Sequence, residues 1–423
     1  MADGGVRTLP AAVSNMTGIP NEAGGPSDVP VIVLGPGLTA LGVQRSLGRV
    51  GVETFLVDDT NSMARWSRWA RNRVIEHPES RDPEALQALL ERLPMERAVL
   101  IACSDKWAAA VAGLPDSIRE RFVTSMPPQD AVHLLGDKAL FAGALQRLDI
   151  AHPWTLVIAK EEDLDTIPDE RWPNIFLKPA DSQSFSQLFG VKAFSVTDRA
   201  DAAERLHQMH EAGIGAVAQE YIPGPPDLHY FVDGFVDRFG RVRALLSRRR
   251  TRMYPVDYGN STFVETVPLD TVSEAVDGLK ILFDDIAYRG IFSAEFKHDP
   301  RDGHFRLLEI NVRPWWYNEF TTLCGINVSE LSYLDALELP VPERLSFPIG
   351  ARHVLMPNDV FSYLHLRRTR GLTFRSWSRD VWGATDAVFR WNDPLPAFES
   401  VRHYPRRGVR VIKRTIAGLR RSR

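Results

Sequence analysis

Short apolar runs separated by helical patterns dominate residues 29–127. Runs of this kind are typical of strands that are buried on both faces of a sheet. The predicted strands cover 30–34, 54–57, 98–102 and 122–124, and helices are predicted to about Val50 and after Pro83. This alternation predicts a parallel sheet with helices on its faces. We therefore expect an α/β domain over 29–127, after a disordered leader over 1–28 that is rich in Gly, Pro, Ala, Ser and Asn.

Longer helical patterns and strands that end in turn residues follow this region. The predicted helices cover 130–135, 137–148, 199–212 and 272–286. The predicted strands cover 175–178, 216–220, 228–236, 241–249, 291–297 and 305–311. With 423 residues, the chain is long enough for two or three domains that each bury a core.

The last two of these strands carry the clearest chemistry, because a turn of Asp, Pro, Arg, Asp and Gly joins them into a hairpin. Side chains alternate between the faces of a strand, so Glu309 and Asn311 share one face. Leu308 and Ile310 are then expected to point into a core. If the strands pair antiparallel, Glu295 lies beside Glu309 and Asn311.

Two carboxylates and an amide that converge in this way repel one another unless a cation lies among them. Oxygen ligands suit Mg²⁺, which binds through a few carboxylates and leaves positions for water and phosphate. Glu295, Glu309 and Asn311 are therefore a candidate metal site. The alternative is that they are three polar residues on the solvated face of a hairpin.

Several cations also occupy unusual positions. Lys178 ends an apolar strand, where an ammonium group is costly to desolvate without an anion. Arg248, Arg250 and Arg252 fall on one face of a predicted strand, where guanidinium groups could bind phosphate or carboxylate. A solvated edge or a nucleic-acid patch is the alternative for the arginines.

The first strand leads into the turn Gly35-Pro36-Gly37 and then into a helix. This pattern, with Asp58 at the end of the next strand, is typical of dinucleotide-binding proteins. Pro36 removes a backbone N–H from the turn that would hold a pyrophosphate. A tight turn in a nucleotide-free domain is therefore favoured, and NAD binding stays as the alternative.

Composition narrows the function class only slightly. Hydrophobic residues make up 44% of the chain, charged residues 25%, and the formal net charge is −3. These values are those of an ordinary soluble protein and predict no nucleic-acid partner. Two cysteines cannot form a disulfide framework, which favours a reducing cytoplasm. The oligomeric state is not predicted, and a homodimer stays open.

The ordered set of motifs from Lys138 to Asn311 resembles the ATP-grasp superfamily, and within it the carboligase-like branch of carboxylate–amine ligases. The resemblance implies a pre-ATP-grasp α/β domain over 29–127, an ATP-grasp domain over 128–340 with its small subdomain at about 150–222, and a C-terminal extension over 341–423. It implies that ATP is bound by Lys138, Lys178, Gln219, Glu220, Ile222 and Asp227. It implies that Mg²⁺ is bound by Glu295, Glu309 and Asn311, and that the catalytic residues are Arg248, Arg250 and Arg313. Residues 181–190 would cover the phosphates, but they are richer in Ser and Gln than such loops usually are.

The reaction implied by the resemblance joins a small-molecule carboxylate to an amine. The carboxylate would take the γ-phosphate of ATP to give an acyl phosphate, and the amine would then capture the acyl group, with release of ADP and phosphate. Two alternatives stay open: an ATP-binding protein without turnover, and an NAD-dependent enzyme that uses the Gly35-Pro36-Gly37 turn.

Residues 401–423 contain nine Lys or Arg residues and no acid. Val409, Ile412, Ile416 and Leu419 fall on one face of a predicted helix. A basic amphipathic helix can lie on an anionic membrane surface or dock on an acidic partner. The alternative is a last helix that packs its apolar stripe on the enzyme.

Overall fold

The structure is a computed structural model, and it describes residues 28–58, 62–70, 73–179, 185, 188–189, 191, 193–255 and 259–402. The predicted leader, most of the loop over 181–190 and nearly all of the basic segment over 401–423 lie outside the described residues.

The first sheet is parallel and lies in the α/β region that the apolar runs predicted. Its strands are β1 (Val31–Leu34), β2 (Thr54–Asp58), β3 (Val74–Glu76), β4 (Ala98–Ala102) and β5 (Phe122–Val123), in the spatial order β3-β2-β1-β4-β5. The helices of this region are Gly37–Gly48, Pro83–Glu91, Asp105–Ala112 and Asp116–Arg119. One apolar cluster covers each face of the sheet, as a parallel sheet requires.

The second sheet is small and antiparallel. Its strands are β6 (Thr155–Ile158), β7 (Ile175–Pro179), β8 (Phe194–Ser195) and β9 (Ala216–Glu220), in the order β6-β9-β7-β8. The helix Arg199–Glu211 packs on it, and Leu206 and Met209 enter its core. Two helices, Gln129–Gly136 and Lys138–Arg147, connect this sheet to the first.

The third sheet is the largest in the described part of the chain. Its strands are β10 (His229–Val236), β11 (Val242–Tyr254), β12 (Asn260–Thr266), β13 (Gly290–His298), β14 (Phe305–Asn311), β15 (Arg352–Val354) and β16 (Thr385–Asp386), in the order β14-β13-β10-β11-β12-β15-β16. The remaining helices are Ser273–Asp285, Asn318–Leu323, Val328–Ala336, Met356–Thr369 and Phe374–Val381.

The predicted hairpin forms as β13 and β14, and the two strands pair antiparallel. Glu295 lies opposite Glu309, and Ser293 lies opposite Asn311, as expected from the alternation. The prediction that Leu308 points into the core was wrong. The register shifts next to Glu295, so that Leu307 is the buried core residue together with Ile310. A bulge inserts one residue into a strand and interrupts the two-residue period at that point, which alternation alone does not reveal.

The described residues beyond 340, which are 341–402, belong to the body of the protein. β15 and β16 extend the third sheet, and β15 pairs with β12. The buried carboxylate of Asp393 accepts hydrogen bonds from Arg45 Nε at 2.9 Å and from Ser67 Oγ at 2.9 Å. Arg45, in the helix Gly37–Gly48 beside the first sheet, also donates to Glu319 in the helix Asn318–Leu323. One buried ionic network therefore joins these two helices to the C-terminal extension.

The mixed α/β architecture confirms the predicted fold class: the N-terminal sheet is parallel, and the two other sheets are antiparallel except for the β15–β16 pair. None of the described helices is long and apolar enough to cross a membrane.

Candidate active site

The candidate site is the polar face of the third sheet where β13, β10 and β11 run side by side. Alternate residues of β13 on this face are Ser293, Glu295 and Lys297, and they lie opposite Asp233, Phe231 and His229 of β10. The opposite face carries Val232, Ala294 and Phe296, which pack in the apolar core under the helix Ser273–Asp285. A strict alternation of polar and apolar residues thus separates a cleft floor from a core.

Glu295 lies at the centre of this floor. Its Oε1 accepts hydrogen bonds from Arg250 Nη2 at 2.9 Å and from His229 Nδ1 at 2.8 Å. Burial raises the pKa of Glu295, but the charge of Arg250 and the hydrogen bond from His229 outweigh it, and the pKa is held below its usual range. Burial lowers the pKa of His229 to about 4. Glu295 is therefore ionised at neutral pH, and a neutral His229 donates to it through Nδ1.

Glu309 and Asn311 lie on the neighbouring edge strand β14, with Glu309 exposed and Asn311 half-buried. Glu309 lies opposite Glu295, so the structure brings the three predicted metal ligands to one place. Glu295 has a positive partner that the local pattern did not predict, because Arg250 reaches it across β10. Among the described residues, no three His, Cys, Asp or Glu side chains form a group that could hold a metal ion.

The three arginines predicted to share one face of β11, which are Arg248, Arg250 and Arg252, have separate acidic partners. Arg248 is buried, and its Nε donates to the buried Asp233 at 2.6 Å. Its guanidinium lies 3.8 Å from the centroid of the Phe231 ring. Arg250 contacts Glu295 and also donates to Ser261 Oγ at 2.8 Å. Arg250 is therefore the arginine that meets the centre of the floor, and Arg248 supports it from a buried ion pair.

Arg252 belongs to a different part of the structure. Its guanidinium donates to both oxygens of Asp359, and Nη1 donates to Asp380 at 2.8 Å. Thr262 and Trp377 also donate to Asp359. The register of β11 and β12 shifts between Arg250 and Arg252, so the two side chains are not simple alternate neighbours. Arg252 fixes the C-terminal extension to the sheet.

Arg313 lies where the third sheet meets the first. Its Nε and Nη2 donate to the two oxygens of Asp105 at 2.7 and 3.0 Å. Asp105 begins the helix that follows β4, at the carboxyl edge of the parallel sheet. Burial alone would lower the pKa of Arg313, but the negative charges of Asp105 and Glu309 outweigh it, and the pKa is raised. Ligands of open α/β sheets bind outside this edge, which places Arg313 at the junction of a crevice and the floor.

The two candidate ATP lysines come close together. Lys138 is the first residue of its helix, and its Nζ donates to the carbonyl of Pro179 at the end of β7. Lys178 precedes Pro179 on the same strand and is half-buried. Asp137 caps the helix by accepting hydrogen bonds from Ala139 N and Leu140 N. The positive end of a helix dipole favours an anion nearby, so this corner suits phosphate.

Residues 219–222, which we call the hinge, lie where the chain passes from the second sheet to the third, and three of them are predicted ATP ligands. Gln219 donates from its side chain to Thr155 Oγ1 at 3.1 Å, and Ile222 is buried. Glu220 accepts from Arg301 Nη1 at 2.6 Å. Asp227 lies half-buried in the short helix Pro226–Leu228, between the hinge and β10. The hinge residues are thus ordered between the two sheets.

Lys297 is a cleft residue that the sequence reasoning missed. Its Nζ donates to the carbonyl of Gly224 at 3.3 Å and lies 4.7 Å from the ring centroid of Tyr221. Burial and the charge of Arg250 lower its pKa to about 8. The signal was present, because Lys297 follows Glu295 by two residues and so falls on the same face of the strand.

The turn Gly35-Pro36-Gly37 has a structural explanation. Gly35 has φ of +126°, and a Cβ there would lie 3.2 Å from the ring of Trp107. Gly37 N donates to Ser62 Oγ at 3.0 Å. Asp58, the candidate ribose ligand, is buried. Backbone conformation and close packing therefore account for the glycines without a dinucleotide.

The structure thus combines a parallel N-terminal sheet, two largely antiparallel sheets joined by the hinge, and a charged floor on the larger of these two. No family model matches the chain. A curated relative, D-aspartate ligase from Enterococcus faecium (strain Aus0004), is 27% identical over 315 residues, which cover 70% of this chain and 74% of that protein.

Solved structures show the same fold at low sequence identity. N5-carboxyaminoimidazole synthetase from Staphylococcus aureus, solved with ADP, has a TM-score of 0.59 and 14% identity, and the match covers 77% of this chain and 80% of that one. L-amino acid ligase from Bacillus licheniformis has a TM-score of 0.54 and 14% identity, over 74% of this chain and 76% of that one. The chain is therefore similar in sequence to a D-aspartate ligase and shares the fold of these two solved enzymes.

Proposed function

We propose that this enzyme joins a small-molecule carboxylate to an amine through an acyl phosphate, and that it releases ADP and phosphate. The observation that carries the proposal is the floor of the third sheet. There, an arginine–carboxylate pair formed by Arg250 and Glu295 lies beside Glu309 and Asn311. A site of this kind places fixed positive charge and oxygen ligands where a phosphoryl group can be transferred.

We place ATP between the second and third sheets. Lys138 reaches the carbonyl of Pro179, the residue after Lys178 at the end of β7, and we assign both lysines to the phosphate oxygens. The hinge residues Gln219, Glu220 and Ile222 are assigned to the adenine, through backbone groups near Glu220 and Ile222. Asp227, which follows the hinge, is assigned to the ribose hydroxyl groups.

The donor set on β13 and β14 fits Mg²⁺. Two carboxylates and an amide oxygen are hard ligands, and Mg²⁺ commonly takes only one or two carboxylates from a protein when phosphates supply the rest. Glu309 and Asn311 would hold the ion together with Glu295. When bound, Mg²⁺ would offset the negative charge of the phosphates.

In the first step, an oxygen of the substrate carboxylate attacks the γ-phosphorus of ATP, and the bond from that phosphorus to the β,γ-bridging oxygen breaks. ADP leaves with the electron pair of that bond. Arg250 stabilises the negative charge on the transferring group, and Arg248 contributes from its buried pair with Asp233. In the second step, the amine attacks the carbonyl carbon of the acyl phosphate, loses a proton, and phosphate leaves.

We place the substrates near Arg313, at the junction of the floor and the carboxyl edge of the first sheet. A guanidinium group can bind a carboxylate there in a bidentate manner, as it already binds Asp105. The relative named D-aspartate ligase makes both enantiomers of aspartate the first candidates for the carboxylate or the amine.

The test is a metabolite screen that measures ADP release from Mg–ATP with pairs of acids and amines. For an active pair, the acid is labelled with ¹⁸O in its carboxylate. Transfer of one ¹⁸O to the released phosphate is expected, because the attacking oxygen stays on phosphorus. Formation of AMP and pyrophosphate, or phosphate without the label, would contradict the proposed reaction.

An ATP-binding protein without turnover is the second candidate, because residues 181–190 are rich in Ser and Gln rather than in Gly. It predicts tight Mg–ATP binding and no ADP release with any pair. The NAD-dependent alternative is disfavoured by the burial of Asp58, and NAD binding without ATP binding would restore it.

A further inference from the structure

The turn that joins β13 to β14 also contacts the hinge. We call residues 299–303 the hairpin tip. Arg301 of this tip donates from Nη1 to Oε1 of Glu220 at 2.6 Å, although the two residues are 81 positions apart in the sequence. Pro300 lies close to Gly224, since a Cβ on Gly224 would be 3.8 Å from Pro300 Cγ. The hairpin that carries the candidate metal ligands is therefore attached, through its tip, to residues assigned to adenine.

Asp299 holds the guanidinium of Arg301 in a fixed orientation. Arg301 donates from Nε and Nη2 to the two carboxylate oxygens of Asp299, at 2.8 and 2.6 Å, and its backbone N–H donates to Asp299 Oδ1 at 3.0 Å. Asp299 is fully buried and also accepts from Arg306 Nε at 3.3 Å. A bidentate pair fixes the plane of a guanidinium, so Nη1 of Arg301 reaches Glu220 from a defined direction.

Glu220 receives contacts from both sides of the cleft. Its backbone N–H donates to the carbonyl of Trp154 at 2.9 Å, and its Oε2 accepts from Trp154 N at 3.4 Å, just before β6. The next residue, Tyr221, donates from its backbone N–H to the carbonyl of Asn174 at 2.6 Å, just before β7. Glu220 is thus bound to the second sheet through its backbone and to the hairpin tip through its carboxylate.

We propose that Arg301 is a positioning residue for nucleotide binding, which acts through Glu220 to hold the hinge backbone in the conformation that binds adenine. This inference rests on the assignment of ATP to the hinge in the proposed function. Backbone groups that read a base cannot adjust by a side-chain rotation, so their position decides the affinity. A site held in its bound conformation binds more tightly, because less order has to be created on binding.

A purely structural role for Arg301 makes a different prediction. The side chain of Arg301 is 44% exposed, and an ion pair of this exposure contributes little to the stability of a fold. If Arg301 only stabilised the turn, its removal would leave the hinge and the affinity for nucleotides unchanged. The experiments therefore measure the hinge and the nucleotide separately.

Hydrogen exchange in the ligand-free protein tests the contact itself. Arg301→Ala should increase the exchange rates of the Glu220 and Tyr221 amides about 3- to 10-fold, because one attachment of the hinge is lost. The matched control is Arg306→Ala, since Arg306 donates to Asp299 and Asp302, which both belong to the hairpin tip. Exchange at the hinge should be the same in this control as in the wild type.

Calorimetry with Mg–ATP and Mg–GTP tests the consequence for binding. Arg301→Ala should bind ATP about 3- to 10-fold more weakly, and its preference for ATP over GTP should fall, because guanine offers different donors and acceptors to the hinge. Arg301→Lys should recover part of the ATP affinity, since an ammonium can still pair with Glu220 but cannot bind Asp299 in a bidentate manner. With an active substrate pair, KM for ATP should rise in Arg301→Ala and kcat should be unchanged.

A double variant tests whether Arg301 acts through Glu220. Glu220→Ala keeps the backbone groups assigned to adenine and removes the carboxylate that Arg301 contacts. If the two side chains act through one contact, the double variant Glu220→Ala with Arg301→Ala should bind ATP no more weakly than the weaker of the two single variants.

Three results would overturn the inference: hinge exchange in Arg301→Ala that equals that of the wild type, equal loss of ATP affinity in Arg301→Ala and Arg306→Ala, or additive losses in the double variant. Failure of the proposed reaction is a separate outcome, because neither the exchange nor the binding measurement requires an acid or an amine. A protein that binds ATP through the hinge and releases no ADP with any pair would contradict the reaction and leave the role of Arg301 intact.

Discussion

Glu295 and Glu309 lie opposite each other on paired strands, yet their surroundings differ, and so the same substitution should affect them differently. Glu295 is half-buried and accepts two hydrogen bonds, whereas Glu309 is exposed. We predict that Glu295→Gln lowers the free energy of unfolding and that Glu309→Gln leaves it nearly unchanged. Both variants should lose turnover, because both carboxylates are proposed to act on the metal and the phosphates.

The size of the stability loss in Glu295→Gln follows from Arg250, the partner of Glu295. Glu295→Gln leaves the buried guanidinium of Arg250 without its carboxylate, and breaking a buried ion pair from one side costs about 3–5 kcal/mol. The Gln amide can still accept a hydrogen bond, so we expect the lower end, about 3 kcal/mol. For turnover, loss of one electrostatic contribution typically lowers the rate on the order of 10²- to 10³-fold.

The effect of pH on stability has a definite sign. The pKa of Glu295 in the folded protein lies below its ordinary value, since Arg250 and His229 overcome the effect of burial. Such an acid stabilises the fold above its unfolded pKa, and this contribution is lost as the pH falls through the folded pKa. The difference in unfolding free energy between wild type and Glu295→Gln should therefore be complete at pH 7 and shrink below about pH 4.

Denaturant unfolding of the ligand-free protein measures stability, and ADP release with the active substrate pair measures turnover. Glu265→Gln is the matched control, because Glu265 pairs with Arg249 on the same sheet in a more exposed ion pair. It should change stability by less than about 1 kcal/mol and leave turnover intact. Wild-type turnover in Glu309→Gln, or equal stability of the Glu295 and Glu309 variants, would refute the reasoning.

Three further predictions rest on single side chains. Lys178→Met should weaken ATP binding roughly 10- to 100-fold in calorimetry without lowering stability, with exposed Lys280→Met as control; unaltered affinity would make Lys178 a surface residue. ATP affinity should fall as the pH rises through about 8, where Lys297 loses its proton, and Lys297→Met should abolish that dependence; a dependence that persists in the variant would exclude this lysine. Asp393→Ala leaves Arg45 buried without one of its carboxylates and should lower the unfolding free energy by about 3–5 kcal/mol; unchanged denaturant unfolding would contradict this.

Much of the fold could be predicted from the sequence, because its strongest signals are local. The helix predicted over 199–212 forms as Arg199–Glu211, and the predicted hairpin forms as β13 and β14. We could predict that Glu295 and Glu309 lie opposite each other, because side chains alternate between the faces of a strand and the turn over 299–303 joins the two strands. Signals of this kind lie within a few residues of each other along the chain, which is why pattern alone could find them.

The contacts that the sequence did not reveal are long-range. Arg250 reaches Glu295 only because β10 lies between β11 and β13, and no local sequence pattern predicts this strand order. Arg45 and Asp393 are 348 residues apart, and their ion pair depends on the whole fold. The bulge next to Glu295 moved the core position from Leu308 to Leu307, because irregular pairing replaces strict alternation there.

These long-range contacts join the C-terminal extension to the two sheets that border the candidate active site. It holds the third sheet through Asp359, which accepts from Arg252, and β11 places Arg252 two residues after Arg250. It holds the first sheet's helix through Asp393. The crevice at Arg313 lies between those two sheets, so their relative position decides its shape. In the proposed reaction, an extension anchored to both sides would fix the distance between the candidate substrate crevice and the candidate phosphate site, and phosphoryl transfer requires that distance to be constant.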